Sequence, residues 1–237
     1  MLIIQARMTS TRLPGKIMLP LCNTSVLQVM LDRLKNWKEQ IIIATTNDGS
    51  EAPIVALCQQ LGIRYYQGST NDVLSRYYQA ALHFGATPDT PIVRLTSDCP
   101  LIDAELTNLV INTYLTGNYD LVSLGPHSGF PRGMDSCIFP FSLLTLTHQK
   151  AKLASDREHV TLGMNKFSSL NSYSISAEED LSHYRLTLDE PEDYECIKAV
   201  YALFQNQSNF NFSALRAALE SNPNIAKINQ HVVQKSV

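Results

Sequence analysis

The sequence predicts an α/β fold with a mainly parallel sheet covered by helices, and three observations lead there. Short apolar runs at 2–6, 41–45 and 91–95 are each followed by a stretch of helical periodicity, at 26–34, 54–61 and 106–115, an alternation that marks βαβ units. The 237 residues are 44% apolar and only 17% charged, the balance of a chain that folds rather than one that stays disordered. No internal repeat, low-complexity tract or interdomain linker breaks the pattern, so one domain over 1–237 is expected.

Charge and cysteine usage narrow the function. A net charge of −3 supplies no basic field for nucleic acid and no polybasic stretch for an anionic membrane, so any bound anion must be met by a local cluster. The opening apolar run is too short for a signal peptide core or a membrane span, and a cytoplasmic protein is expected. Cys22, Cys58, Cys99, Cys137 and Cys196 are odd in number and contain no C-x-x-C pair. They read as reduced core thiols, with Cys99 notable for following Asp98.

Taken in order, the first run at 2–6 leads directly into Arg7-Met8-Thr9-Ser10-Thr11-Arg12-Leu13-Pro14-Gly15-Lys16, three cations and three hydroxyl residues in ten positions. Ligands of parallel sheets bind beyond the carboxyl ends of the strands. Arginine forks, a lysine point charge, hydroxyls and exposed backbone N–H groups together can cradle phosphates. The bland alternative is a solvated basic loop. Neither a G-x-G-x-x-G fingerprint nor a Walker A loop is present, which disfavours dinucleotide binding and P-loop chemistry.

The run at 91–95 ends in Thr96-Ser97-Asp98-Cys99-Pro100, where Asp98 can project from the sheet edge as a hard oxygen ligand for Mg²⁺. Asp103 precedes a helical pattern and reads as its N-cap. From Gly125 to Gly133 the chain is too rich in turn formers for strand or helix, a loop expected to border the site. Beyond it come a short apolar run at 138–139, a helix from Ser142, the charged Asp156-Arg157-Glu158-His159, a strand at 184–188 and a helix from about Pro191. An amphipathic helix at 212–219 ends at Asn222-Pro223-Asn224. Asp189, between the 184–188 strand and that Pro191 helix, has two readings. Glu192 three residues on and Pro191 in the first turn make it a helix cap, which spacing alone favours, while its place after a strand makes it a second metal carboxylate.

Residues 4–16 resemble the opening signature of the cytidylyltransferases, the family that includes CMP-Kdo synthetase, CMP-sialic acid synthetase and the SpsF-like spore coat polysaccharide proteins. Gly68-Ser69-Thr70-Asn71-Asp72-Val73-Leu74-Ser75-Arg76-Tyr77, Thr96-Ser97-Asp98-Cys99-Pro100-Leu101-Ile102-Asp103, Asp156-Arg157-Glu158-His159-Val160-Thr161 and the segment from Arg185 to Tyr194 resemble SpsF-like segments in the same order. The resemblance implies a three-layer α/β/α, GT-A-like nucleotidyltransferase that transfers CMP from CTP to an acidic sugar and releases pyrophosphate. It implies a CTP-binding loop near 7–16 and an acceptor-side segment at about 125–185.

By position, Arg12, Lys16 and Asp98 fall on the catalytic positions. Arg7, Ser10, Arg12, Lys16, Ser69 and Arg76 fall on the nucleotide, and Asp98 and Asp189 on Mg²⁺. Asp135, Arg157 and His159 fall on the acceptor side. In the nucleoside-side segment at 68–77, Asn71 or Asp72 is a cap for the next helix. CTP and a small acidic sugar are the partners expected, with no nucleic acid and no membrane insertion; a homodimer is left open. Pro131-Arg132-Gly133-Met134-Asp135-Ser136-Cys137 departs from the family's acidic-Gly-x-Asp-x-Glu pattern, losing two acidic positions and gaining Arg132, which points to a different acceptor. A GT-A-type glycosyltransferase and a non-catalytic nucleotide-binding protein are the competing readings; three cations spaced along a triphosphate favour the transferase that expels pyrophosphate.

Overall fold

The computed structural model describes residues 1–125 and 127–234. The elements run β1 (Leu2–Gln5), β2 (Pro20–Leu21), β3 (Thr24–Ser25), α1 (Val26–Arg33), β4 (Ile41–Thr46), α2 (Ala52–Leu61), β5 (Arg64–Gly68), α3 (Val73–His83), β6 (Pro91–Thr96) and α4 (Ala104–Thr116). They continue as β7 (Leu121–Leu124), β8 (Ser136–Pro140), α5 (Phe141–Lys150), α6 (Ala154–Glu158), α7 (Met164–Phe167), β9 (Ser172–Ser174), α8 (Pro191–Leu203), α9 (Phe212–Ser221) and α10 (Pro223–Lys227).

Seven strands form one sheet in the order β5-β4-β1-β6-β8-β7-β9, and β2 and β3 form a separate small ladder. The four strands from β5 to β6 are parallel, with Ile3 opposite Ile42 and Arg94. β8 runs antiparallel to both β6 and β7, and β9 returns parallel to β7. Because side chains alternate across a strand, β1 sends Leu2 and Ile4 to one face and Ile3 to the other. The first face packs Val26, Ile54, Val110, Ile197 and Leu215 from α1, α2, α4, α8 and α9. The second packs Val73, Tyr77, Leu144 and Met164 from α3, α5 and α7. Burying each such side chain is worth about 1.5–3 kcal/mol, and parallel strands covered on both faces read as near-continuous apolar runs. Among the described residues no helix is long and apolar enough to cross a membrane.

Two expectations for the later chain are corrected. The 184–188 run is an extended segment whose sole bridge joins Arg185 to Arg132; Leu186 N–H donates to the Arg132 carbonyl and Leu188 N–H to that of Asp98, so it threads between two loops instead of extending a ladder. Asn222-Pro223 ends α9 but also starts α10, since proline at the first helical position loses no N–H that the helix needs. The five thiols are all free, and all but Cys22 are buried.

Candidate active site

The chain leaves β1 through a loop closed by Gly15, whose N–H donates to the Met8 carbonyl and whose φ of 67° is open to glycine without a Cβ penalty. One 3₁₀ turn follows at Lys16–Met18 and buries Ile17 to 1% exposure. With Ile17 locked in the core, Lys16 turns to the opposite side. Ser10 faces the same cavity while its Oγ accepts from Leu13 N–H at 3.3 Å.

Lys16 Nζ lies 3.1 Å from Asp98 Oδ2, 2.8 Å from Asp189 Oδ1 and 2.6 Å from the Leu188 carbonyl. The two carboxylates, 91 residues apart in the chain, are therefore brought onto one nitrogen. The Leu188 N–H bond to the Asp98 carbonyl at 2.7 Å and the Thr187 hydroxyl bond to the same oxygen stitch their backbones together. Gly133 makes this threading possible: at φ 106° a Cβ there would stand 2.6 Å from the Leu186 carbonyl carbon. Burial alone would push Asp98 up, yet Lys16 beside it, with hydrogen bonds from Thr96 and Lys16, holds its carboxyl below the ordinary range. Burial likewise acts against the Lys16 charge, and Asp98 and Asp189 reverse that and raise it.

Arg12 completes the cluster, reaching Asp189 at 3.0 Å and Glu190 at 3.3 Å. Arg185 meets Asp189 at 3.3 Å and Asp193 at 2.8 Å. Asp189 is not the cap of α8. That cap is Glu190, paired with Asp193 in a capping box, and Asp193 Oδ2 accepts both the Asp189 and Glu190 N–H groups at 2.9 Å. Asp103 does cap α4, accepting from Leu106 N–H at 2.9 Å.

The cluster borders a cavity of about 680 Å³ beyond the carboxyl ends of β1 and β6, lined also by Arg7, Arg76, Asp135 and His159. This is the size range of small-molecule sites. Arg7 pairs with Glu158 at 3.3 Å, linking the first loop to the end of α6. Arg76 is 1% exposed and donates to the Ser69 and Thr70 carbonyls. Asp135 Oδ2 accepts from Gly133 N–H at 2.8 Å, and burial pushes its carboxyl up, with Asp98 adding to the effect. Burial pushes the His159 imidazole below its ordinary value. His159 is followed by Val160 at φ 51°, an uncommon conformation for a β-branched residue; the buried Val160 side chain turns His159 and Thr161 to the cavity. Gly125 and Arg132 of the turn-rich loop line it too, while Pro126 lies outside the described residues.

Two expected residues are not brought there. Arg157 is held at 2.7 Å by Asp72 and donates to the His148 and Ala151 carbonyls, because its side of α6 faces α3 and α5. Ser69 is exposed in the β5 to α3 turn and lends only its carbonyl to Arg76. Asp72 caps α3, accepting from Ser75 N–H. Sequence reasoning passed over Gln5, Arg94 and Glu158, all of which line the cavity; the available signal was Arg94, a lone charge within the apolar run of β6.

A mainly parallel seven-stranded sheet with helices on both faces and a cation-lined cavity at its carboxyl edge defines the class: this is a nucleotidyltransferase fold. Residues 1–222 match the family described as Cytidylyltransferase, and the chain belongs to that family. It is 34% identical to an uncharacterized protein of Methanocaldococcus jannaschii, covering 99% of this chain and 96% of that one. It is 31% identical to the spore coat polysaccharide biosynthesis protein SpsF of Bacillus subtilis, over 94% of this chain and 95% of SpsF. The solved structure of a cytidylyltransferase from Leptospira borgpetersenii superposes with a TM-score of 0.89 at 34% identity, covering 99% of this chain and 98% of that one. More distant likenesses are of fold alone. They include the CMP-2-keto-3-deoxy-manno-octonic acid synthetase solved with CTP, at 15% identity, TM-score 0.60 and coverage of 86% and 98%. A Mycobacterium tuberculosis protein solved with manganese follows at 16%, 0.58, 81% and 94%.

Proposed function

We propose that this cytidylyltransferase moves CMP from CTP to a hydroxyl of an acidic sugar, releasing pyrophosphate, in the making of a surface polysaccharide or glycoconjugate. The observation that carries the reading is the seating of Lys16 Nζ within 3.1 Å of both Asp98 and Asp189, with Arg12 on the same carboxylate. The acceptor oxygen forms a bond to the α-phosphorus, the bond from that phosphorus to the α–β bridging oxygen breaks, and the hydroxyl proton passes to water. Charge builds on the leaving pyrophosphate, and Arg12 and Lys16 neutralise it. Arg7 and Ser10 stand earlier on the same loop for the other phosphate oxygens, and Arg76 borders the nucleoside side.

The donor set fits a hard divalent ion. Two carboxylates already share one cation in the free protein, and among the described residues no third His, Cys, Asp or Glu joins them. That suits Mg²⁺, which takes one or two carboxylates and completes its shell with water and phosphate oxygens; the manganese in the distant M. tuberculosis relative accords with such use. Bound by Asp98 and Asp189, the ion would supply charge neutralisation at the phosphates and a lower pKa for the attacking hydroxyl. The acidic acceptor is supported by the keto-acid named for one structural neighbour. Incubation with CTP, Mg²⁺ and a panel of 3-deoxy-2-keto acids and other sugar acids, read by pyrophosphate release and the mass of the product, tests both halves. No CMP-sugar from any of them, with pyrophosphate released only toward neutral sugars or alcohols, defeats the acidic-sugar reading.

A further inference from the structure

Two cations of the cavity, Arg94 and Arg132, are not used by the chemistry above, and of these Arg94 is the one held by the sheet. Arg94 stands beside Ile3 of β1 and Cys137 of β8 in register. It therefore projects from the face that carries Ile3, Ile92 and Phe139 toward α3, while its neighbours Val93 and Leu95 point the other way. Its guanidinium carbon lies 5.9 Å from the centre of the Tyr77 ring. Its Nε is buried without a hydrogen-bond partner, and among the described residues no carboxylate comes within ion-pair distance of it.

Of the other cavity arginines, Arg7 and Arg12 are ion-paired, Arg76 has the same unpartnered Nε but rests Nη1 on two carbonyls, and Arg132 belongs to the turn-rich loop, not to the sheet. Burial opposes the Arg94 charge, but Tyr77, Cys137, Asp98 and Asp135 together hold its pKa above the ordinary value, so it remains a cation. Arg94 is half-buried and meets Cys137 and Tyr77 but, among the described residues, no carboxylate; an unpartnered buried donor is costly, and polar groups converging on a cavity mark where a ligand group sits. Gln5, one strand over, offers a second unpartnered atom, its buried Oε1, to the same cavity. His159, depressed by burial and in part by Arg94 itself, stays neutral there and adds no competing charge.

On the proposed reading, Arg7, Arg12 and Lys16 of the first loop serve the phosphates of the triphosphate. A planar guanidinium with parallel N–H bonds matches a carboxylate. Resting on the cytidylyl-transfer reading, we propose that Arg94 is the specificity-determining residue for the acceptor: it forks onto the acceptor's carboxylate at the α3-side face of β6, with Gln5 and His159 beside it for hydroxyls.

The test compares the wild type with Arg94→Met, which keeps the stem against Tyr77, and Arg94→Lys, which keeps the charge without the fork. Ligand-observed NMR follows the sodium salts and methyl esters of N-acetylneuraminate and 3-deoxy-manno-octulosonate, with and without a CTP analogue carrying a methylene α–β bridge. At least one acid binds the wild type about tenfold or more tighter than its ester, Arg94→Met abolishes the preference and Arg94→Lys retains part of it. Affinity for the CTP analogue changes less than about threefold, and a cooperative melt shows that Arg94→Met is folded. Three results overturn the proposal: no acid preferred over its ester by the wild type, a preference that survives in Arg94→Met, or a loss of nucleotide affinity with acid preference intact. Failure of the transfer reading is separate, since it shows as a wild type that neither binds the CTP analogue nor releases pyrophosphate.

Discussion

Asp189→Asn exchanges one carboxylate oxygen for an amide at almost constant volume and removes the charge that three cations share. The Asp189 side chain is 10% exposed and meets Lys16 at 2.8 Å, Arg12 at 3.0 Å and Arg185 at 3.3 Å. A hydrogen bond to a charged group contributes about 1.5–3 kcal/mol, and removing one member of a buried pair costs about 3–5 kcal/mol. Each cation keeps another partner, Lys16 on Asp98, Arg12 on Glu190 and Arg185 on Asp193. The lower end applies, about 3 kcal/mol. For a chain of this size each kcal/mol moves the melt by about 2–4 °C, so the nucleotide-free, metal-free protein should melt about 6–12 °C lower. Turnover should fall by orders of magnitude. Differential scanning calorimetry and pyrophosphate release read the two effects. Asparagine caps helices about as well as aspartate, so a purely capping Asp189 would leave the melt in place; a melt within about 1 °C of wild type refutes the ion cluster as described.

Lys16→Met should abolish most turnover and destabilise the free protein by a pH-dependent amount. Asp98 is lowered and Lys16 raised, so their link stabilises from the ordinary carboxylate range, about pH 4, up to the ordinary lysine value, about pH 10.4. The deficit in melting temperature should be flat between those limits and close as acid protonates Asp98; a deficit that persists undiminished at pH 2 contradicts it. Asp135→Asn should act in the opposite direction on stability, because burial raises the Asp135 carboxyl and its ionised form is a burden above about pH 4. The variant should melt higher than wild type at pH 7 and equally at pH 3, and a lower melt at pH 7 argues for an unseen ionic partner. Arg157→Ala, which removes the Asp72 pair and two bonds to carbonyls outside the cavity, should cost about 1–3 kcal/mol of stability while kcat stays within about twofold. A large kcat loss with an unchanged melt would put Arg157 back at the acceptor.

The strands that carry the site were readable because they are buried on both faces, and so read as plain apolar runs with the chemistry in the residues just after them. β5 was not, since its tyrosines and Arg64 sit half-exposed at the sheet edge, and a three-residue outer strand such as β9 leaves no pattern. The extended run to Asp189 has the composition of a strand, yet its N–H groups go singly to two loop carbonyls, which no local spacing encodes. Among the acids at the start of α8, spacing could not tell which turned toward the backbone: the cap is one residue later than expected, and that shift frees Asp189 for the cluster. On α6 the same ambiguity sent Arg157 and His159 to one site, although a five-residue helix points them in different directions. Arg94 was visible as a charge inside an apolar run; what lay hidden was the lack of a partner for its Nε, a property of the packed molecule alone.

Lys16 sits between Asp98 and Asp189, where the proposed metal reading would put the ion. Being tethered, it competes at a local concentration that no loose ion in solution matches. The resting protein is therefore a poor chelator, and stray divalent ions gain little by entering alone. On the proposed function, a triphosphate would change the competition by offering Lys16 and Arg12 other anions, vacating the carboxylates for an ion that arrives with the nucleotide. The lysine would then act as a placeholder, tying ion loading to the presence of the donor.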